Sequence, residues 1–159
     1  MQQTIGWQAP FANLVWYAPW SLPIFGFFGL FPYPIALPLW LLFQIGLVFL
    51  AADRLWRHYG GSPTSRAVAV VVAMTFYPTI ALLIWRQASA LALAGIVAFL
   101  VFARRRRDLL AGLSLTLATV KPQLLYLFWV GLALGVWKTR RWRVLLGCGL
   151  GCAGGLPLA

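Results

Sequence analysis

The feature that most constrains this chain is the alternation of apolar segments with short clusters of basic residues. The apolar segments recur from about residue 12 to the end, and 62% of the 159 residues are hydrophobic while 9% are charged. A soluble domain of this length does not need so much apolar surface. The composition therefore predicts an all-α, polytopic transmembrane helix bundle with about six to seven helical segments.

The formal net charge of +11 raises the question of nucleic-acid binding. The basic residues lie between the apolar segments, which argues against nucleic acid as a partner. Basic residues beside membrane spans are retained in the cytoplasm, where they also meet anionic membrane lipids. We therefore expect three clusters to be cytoplasmic: Arg54, Arg57 and Arg66; Arg104 to Arg107; and Lys138, Arg140, Arg141 and Arg143.

The apolar segments predict a single transmembrane domain over residues 1–159. Prolines crowd the first segment, which we interpret as a kinked or re-entrant helix. The last segment carries Gly147, Gly151 and Gly155 at helical spacing, suited to close helix packing, and it stops short, so we expect a fragment of a longer protein. The predicted segments are about 12–31, 35–52, 67–85, 88–103, 109–120, 123–137 and 143–158.

Lys121 interrupts the apolar sequence LSLTLATVKPQLLYLFWVGLAL and is followed at once by Pro122. A charge beside a helix breaker inside hydrophobic sequence indicates a functional site. Residues 109–120 rise only about 18 Å, which is short of a bilayer core of about 30 Å, so Lys121 is expected below the outer surface. The alternative is a lysine near a helix end whose ammonium extends to the interface.

With the basic clusters inside, the turn at Arg86 and Gln87 and the break at Lys121 are expected on the same, outer side. They are predicted to line one outward-facing cavity. The alternative for Arg86 and Gln87 is an ordinary polar turn, which any hairpin between two spans requires. The chain has no Glu, and Asp53 and Asp108 both lie beside cytoplasmic arginines. We therefore expect no general base in the cavity, and no catalytic residue in this chain.

Three other chemically active side chains are interpreted without a special role. Cys148 and Cys152 lie in a Gly-rich apolar segment, where small thiols pack between helices, so neither a disulfide nor a metal site is expected. His58 lies in a basic loop without acidic or thiol partners and is interpreted as solvated. The sequence thus predicts no metal and no cofactor.

The chain resembles glycosyltransferase family 87, polytopic enzymes of the GT-C class, in the order of YPTIALLIWRQ, an apolar return helix, RRRRDLLAGLSLTLATVKPQLLYLFWVGLALG and RRWR. That family has a Pro before a Gly-Gln pair, an alanine-glycine step after a basic loop, and a Lys-Pro before the next span. Its aromatic, Pro-rich segment is similar to WYAPWSLPIFGFFGLFPYPIALPLW. The matching residues here are Pro78, Gln87, Ala111 with Gly112, and Lys121 with Pro122.

The resemblance implies transfer of mannose or arabinofuranose from a polyprenyl-phosphate donor to a hydroxyl of a lipid or glycan acceptor, on the outer face of a bacterial plasma membrane. Lys121, and Arg86 with it, would stabilise the departing phosphate, and Gln87 would hold a hydroxyl. Arg86 stands where the family usually has Gly. The family's catalytic Asp lies in an external loop before the matched region, so we expect this chain alone to be inactive.

Two other classes of protein remain open at this point. A non-enzymatic transporter subunit or scaffold would use the broken helix at Lys121 and Pro122 as an anion-binding gate, and internal inverted symmetry would favour it. A purely structural membrane piece would pack through its glycine face.

Overall fold

The structure, a computed structural model, describes residues 18–155, whose regular elements are all helices joined by short turns and loops, with no strand among them. This confirms the all-α class. Two 3₁₀ turns cover Pro19–Ser21 and Pro122–Leu125. The eight α-helices of the described part are α1 (Leu22–Gly29), α2 (Tyr33–His58), α3 (Arg66–Thr75), α4 (Tyr77–Ile84), α5 (Ser89–Arg104), α6 (Asp108–Ala118), α7 (Tyr126–Thr139) and α8 (Arg143–Gly155).

Within residues 18–155, only α2 is by itself long and apolar enough to cross a membrane. It has 26 residues and a mean hydropathy of 2.3 over its most apolar window, and it rises about 39 Å. Helices α3 and α4 meet the same test only together, bent by 55°. The other apolar helices are shorter, so one full-length candidate span and one bent pair support a membrane protein, and the multi-pass bundle stays a prediction.

The bend between α3 and α4 falls inside the predicted segment 67–85. Pro78 has no N–H, and its ring clashes with the carbonyl four residues earlier in a continuous helix. Phe76 accordingly leaves the helical region, with φ −63° and ψ 127°, and begins α4 as its N-cap. The sequence run that we treated as one crossing is therefore two helices.

The first predicted segment is also irregular, and its residues 12–17 lie outside the described part of the chain, as do residues 156–158 of the last segment. The described part has a 3₁₀ turn followed by α1, which has eight residues and rises about 12 Å. Phe28 of α1 packs edge-on against Trp40 of α2, with ring centroids 5.1 Å apart. Aromatic packing of this kind holds the short helix against α2.

Helices α5, α6 and α8 form the most closely packed part of the bundle. A Cβ on Gly112 would collide with the Val144 carbonyl oxygen and lie 2.8 Å from the Cys148 nitrogen. On the other side of α6, a Cβ on Gly95 would lie 2.8 Å from the Ala118 nitrogen. The glycines allow backbones to approach in the way small residues do between membrane helices. The alanine-glycine step at Ala111 and Gly112 thus serves helix packing.

Large apolar side chains cover much of the outside of the bundle. Leu42 is 64% exposed, Leu127 is 70% exposed and Val72 is 59% exposed. Exposed apolar surface of this extent is unfavourable in water and suits contact with lipid or with further protein.

Candidate functional site

The two interruptions that the sequence placed on one side are in direct contact. The Lys121 Nζ donates a hydrogen bond of 2.8 Å to the Gln87 Oε1, across 34 residues of sequence. Gln87 lies in the turn between α4 and α5, and Lys121 precedes the 3₁₀ turn after α6. We refer to Arg86, Gln87 and Lys121 together as the tip cluster.

The turn that carries Arg86 and Gln87 is a Schellman-type end to α4. The Gln87 N–H donates to the Leu82 carbonyl at 3.0 Å, and the Arg86 N–H donates to the Leu83 carbonyl at 3.2 Å. This pattern needs a left-handed residue just after the helix, and Arg86 has φ +53°. Glycine adopts this conformation without cost, so the Gly that the resemblance leads us to expect at this position would fit the turn.

Lys121 is held in place by the proline that follows it and by the valine that precedes it. A residue before proline is pushed out of the helical region, and Lys121 has φ −133° and ψ 71°. Val120 is 1% exposed and packs in one core cluster with Ala88, which is also 1% exposed. Because Val120 and Ala88 adjoin Lys121 and Gln87 in sequence, their packing fixes the two polar side chains beside each other.

The third member of the tip cluster has a different partner. The Arg86 Nη1 donates to the Tyr33 hydroxyl at 2.8 Å, and the Trp40 Nε1 donates to the Arg86 carbonyl at 3.2 Å. Both partners belong to α2, more than 45 residues away in sequence. Hydrogen bonds with the first part of α2 therefore hold the α4–α5 turn in position.

Gln44 of α2, like Tyr33 and Trp40, is a residue that sequence reasoning missed. It is completely buried, and its Nε2 donates to the Gln87 carbonyl at 2.5 Å. Among the described residues its Oε1 has no hydrogen-bond partner. The available signal was an amide within the otherwise apolar segment 35–52, where a buried polar group is costly unless it has a partner.

A cavity of about 530 Å³ lies against Gln87, between α2, the bent pair α3–α4, and α5. Its polar lining comes from Thr79, Gln87 and Ser89, and the Ser89 Oγ donates to the Gln87 Oε1 at 3.4 Å. The rest of the wall is apolar and includes Pro78 and Leu124. The bend at Pro78 thus helps shape a space with an apolar body and a polar end next to the tip cluster.

The three basic clusters gather at the other ends of the same helices. Asp53 of α2, whose side chain is 5% exposed, forms ion pairs with Arg57 and with Arg66 of α3. The Arg104 Nη1 at the end of α5 donates to the His58 carbonyl at 2.6 Å. Helices α2 and α5 have their other ends at Tyr33 and Ser89, so the basic clusters and the tip cluster occupy opposite ends.

The second carboxylate is also paired at the basic end. Asp108, the first residue of α6, accepts hydrogen bonds from Arg141, which also donates to the Ala103 carbonyl at 3.0 Å. The hydrogen bond from Arg141 holds the pKa of Asp108 below its usual range. Asp53 and Asp108 are the only acidic side chains in the sequence, so no carboxylate side chain lies in the tip cluster.

An exposed tryptophan lies at the tip end, and the two cysteines lie at helix interfaces. Trp85, 73% exposed, adjoins Arg86 at the tip end. Cys148 packs against the core cluster formed by Leu115, Ala118, Val136 and Val144. The Cys152 Sγ lies 3.9 Å from the Thr119 Oγ1.

Comparison with known proteins supplies the identity of the chain. A family model described as Glycosyltransferase family 87 matches residues 15–158, which is almost the entire chain. No curated protein and no solved structure matches it. Membership of this family implies a membrane glycosyltransferase in general terms. The chain belongs to glycosyltransferase family 87.

Proposed function

We propose that the tip cluster binds the phosphate and the sugar of a polyprenyl-phosphate sugar donor, on the extracytoplasmic face of a bacterial plasma membrane. The protein then transfers mannose or arabinofuranose to a hydroxyl of a lipid or glycan acceptor of the cell envelope. The observation that carries this proposal is the hydrogen bond of 2.8 Å between the Lys121 Nζ and the Gln87 Oε1, which joins a cation and an amide from separate hairpins.

The leaving group of such a reaction is a lipid phosphate that gains negative charge as the glycosidic bond breaks. A fixed positive charge in a region of low dielectric stabilises that charge most strongly. Lys121 is partly buried and its position is fixed by Val120 and Pro122. Its ammonium therefore suits a phosphate oxygen better than a freely solvated lysine would.

Gln87 and Arg86 complete the proposed contacts. The Gln87 amide both donates and accepts hydrogen bonds, as a sugar or acceptor hydroxyl requires. The Arg86 guanidinium has five N–H donors, so its bond to Tyr33 leaves donors for a second phosphate contact. The apolar body of the adjoining cavity, about 530 Å³, suits the isoprenoid chain of the donor.

The general base that removes the proton from the acceptor hydroxyl must come from outside the tip cluster. A general base has to lie within hydrogen-bond reach of the proton it removes, whereas Asp53 and Asp108 are paired with arginines at the basic end. Residues 1–159 alone are therefore expected to lack transfer activity.

The test is Lys121→Gln in the full-length protein, with turnover and membrane abundance measured on the same preparations. Losing one aimed electrostatic contact costs about 3 kcal/mol, or about a hundredfold in rate. Lys121→Arg should recover only part of the rate, because the charge persists while its geometry changes.

The matched control is Lys138→Gln, which removes an exposed lysine at the basic end and should leave turnover unchanged. Near-normal turnover per molecule in Lys121→Gln would end the phosphate-binding proposal and favour an ammonium that merely extends to the interface.

A further inference from the structure

The basic end contains a second cavity, about 510 Å³, between the ends of α2 and α5. Its lining is mostly cationic, and guanidinium groups from both helices converge on it. The residues that line it are Arg54, Arg57, His58, Val101, Arg104 and Arg105.

Positive charge in this cavity exceeds the negative charge available to balance it. Arg57 pairs with Asp53, but Asp53 also pairs with Arg66. Among residues 18–155, the guanidinium groups of Arg54 and Arg105 form no hydrogen bond or ion pair. One shared carboxylate for this group of arginines leaves capacity for an anion, and planar guanidinium groups match phosphate oxygens well.

A smaller apolar groove adjoins the cationic cavity and shares two lining residues with it. It measures about 210 Å³ and runs along the facing sides of α2 and α5, where it is lined by Leu47, Leu50, Ala94 and Ala98, among others. Arg54 and Val101 line both spaces. The cationic cavity is therefore bordered by apolar surface along both helices.

We infer that this groove binds an anionic phospholipid from the leaflet at the basic end. The headgroup phosphate contacts the arginines, and one acyl chain lies along α2 and α5. Charge complementarity selects an anionic headgroup over a zwitterionic one, and the apolar groove selects a lipid over free phosphate. The inference does not depend on the proposed function, because the tip cluster is at the opposite end of both helices.

The experiment uses the purified full chain in a neutral detergent and measures lipid retention by native mass spectrometry. Phosphatidylglycerol, phosphatidylcholine and inorganic phosphate are added separately, and inorganic phosphate is also added together with phosphatidylglycerol as a competitor. We expect one phosphatidylglycerol to be retained, with weaker retention of phosphatidylcholine. The double variant Arg54→Gln, Arg105→Gln should bind phosphatidylglycerol roughly 30-fold more weakly.

The matched control is the double variant Lys138→Gln, Arg140→Gln, which removes the same charge from exposed positions at the same end. It should retain phosphatidylglycerol as the wild type does. An equal loss in both double variants would show general surface attraction and overturn the site. Equal retention of the two lipids by the wild type would also overturn it.

A second variant tests the contribution of the acyl chain to binding without removing positive charge. Ala98→Leu fills the groove between α2 and α5 and should weaken phosphatidylglycerol binding roughly tenfold while leaving the arginines in place. If Ala98→Leu has no effect and inorganic phosphate competes fully with the lipid, the site is a free-anion site and the inference is wrong. Circular dichroism of each variant checks that the helices are retained.

Discussion

The two ends of this helical bundle carry positive charge in different settings. At the basic end, arginines pair with Asp53 and Asp108 and bridge α2 to α3 and α6 to the α7–α8 loop. At the tip end, Lys121 and Arg86 are held by neutral acceptors, the Gln87 amide and the Tyr33 hydroxyl. An amide or a phenol positions a cation without cancelling its charge, as a carboxylate would.

Cations paired with carboxylates and cations held by neutral groups also differ in how readily they can exchange their partner. An ion pair that joins two helices stabilises the fold and has little reason to exchange its partner. A cation bound to a neutral group loses less when a phosphate replaces that group, because the new interaction is charge-assisted and stronger. The contacts of Lys121 and Arg86 fit the binding role proposed for the tip cluster, whereas the arginines paired with Asp53 and Asp108 hold helices together.

The largest expected effect concerns which side of the membrane each end faces. A cysteine introduced at Gln87 should react with a membrane-impermeant thiol reagent added outside intact cells, and one introduced at Ser62 should not. Background labelling is controlled with a chain in which Cys148 and Cys152 are replaced by Ala. Reversed labelling would place the tip cluster in the cytoplasm and contradict the proposed extracytoplasmic reaction.

The next effect concerns α6, which connects the two ends. It begins at Asp108 and ends shortly before Lys121, so its position against α8 sets both. Gly112→Ala places a Cβ against the backbone of α8, and we expect it to lower the free energy of unfolding by about 3 kcal/mol. Thermal unfolding in detergent, followed by circular dichroism, measures the loss.

Gly131→Ala is the control for this substitution. A Cβ at Gly131 meets nothing within 4 Å, and alanine favours a helix by up to about 1 kcal/mol over glycine. It should therefore leave stability unchanged or slightly raised. Equal stability of the two variants would mean that α6 and α8 do not pack closely.

A smaller effect is expected from breaking one cross-helix ion pair. Arg141→Gln removes the charged hydrogen bonds to Asp108, whose side chain is 19% exposed, at a cost of about 2 kcal/mol at neutral pH. The pKa of Asp108 is lowered in the folded protein, so its contribution is present above its ordinary pKa and is lost as the pH falls through the lower folded value.

Unfolding measured from neutral pH down to below the ordinary range of an aspartate checks this linkage. The wild type should lose more stability on acidification than Arg141→Gln does. Arg140→Gln, at an exposed neighbouring position, should titrate as the wild type. Parallel curves for the wild type and Arg141→Gln would show that the pair contributes nothing to folding.

Local sequence patterns anticipated part of this architecture. The apolar runs predicted helices, the proline after Lys121 predicted an interruption, and the basic clusters predicted that Gln87 and Lys121 would share a side. These inferences depend on residues close together in sequence or on a rule about charge. The functional role of the tip cluster stays a prediction.

Other features depend on contacts between distant residues and leave little local trace. No local sequence pattern predicts that the Arg86 guanidinium donates to Tyr33, 53 residues earlier, or that the Gln44 amide donates to the Gln87 carbonyl. Tertiary packing decides such pairs. The bend at Phe76 was locally readable, because Pro78 is a helix breaker, but the apolar run through residues 67–85 hid it.

The smallest effect on stability, and the sharpest test of the tip end, concerns Arg86. Its left-handed backbone costs an L-residue about 1 kcal/mol relative to glycine, and its exposed bond to Tyr33 returns about as much. Arg86→Gly should thus change the free energy of unfolding by less than about 1 kcal/mol. Arg86→Ala loses the bond and keeps the strain, so it should be less stable than Arg86→Gly.

Turnover should not follow this order. If Arg86 supplies a phosphate contact, both variants lose that contact and should slow transfer equally, by about tenfold, since each aimed hydrogen bond to a charged group is worth about 1.5 kcal/mol. If Arg86 only shapes the turn, turnover should follow stability, with Arg86→Gly close to the wild type and Arg86→Ala impaired. Full turnover by Arg86→Gly would therefore remove Arg86 from the proposed phosphate contacts and leave that role to Lys121.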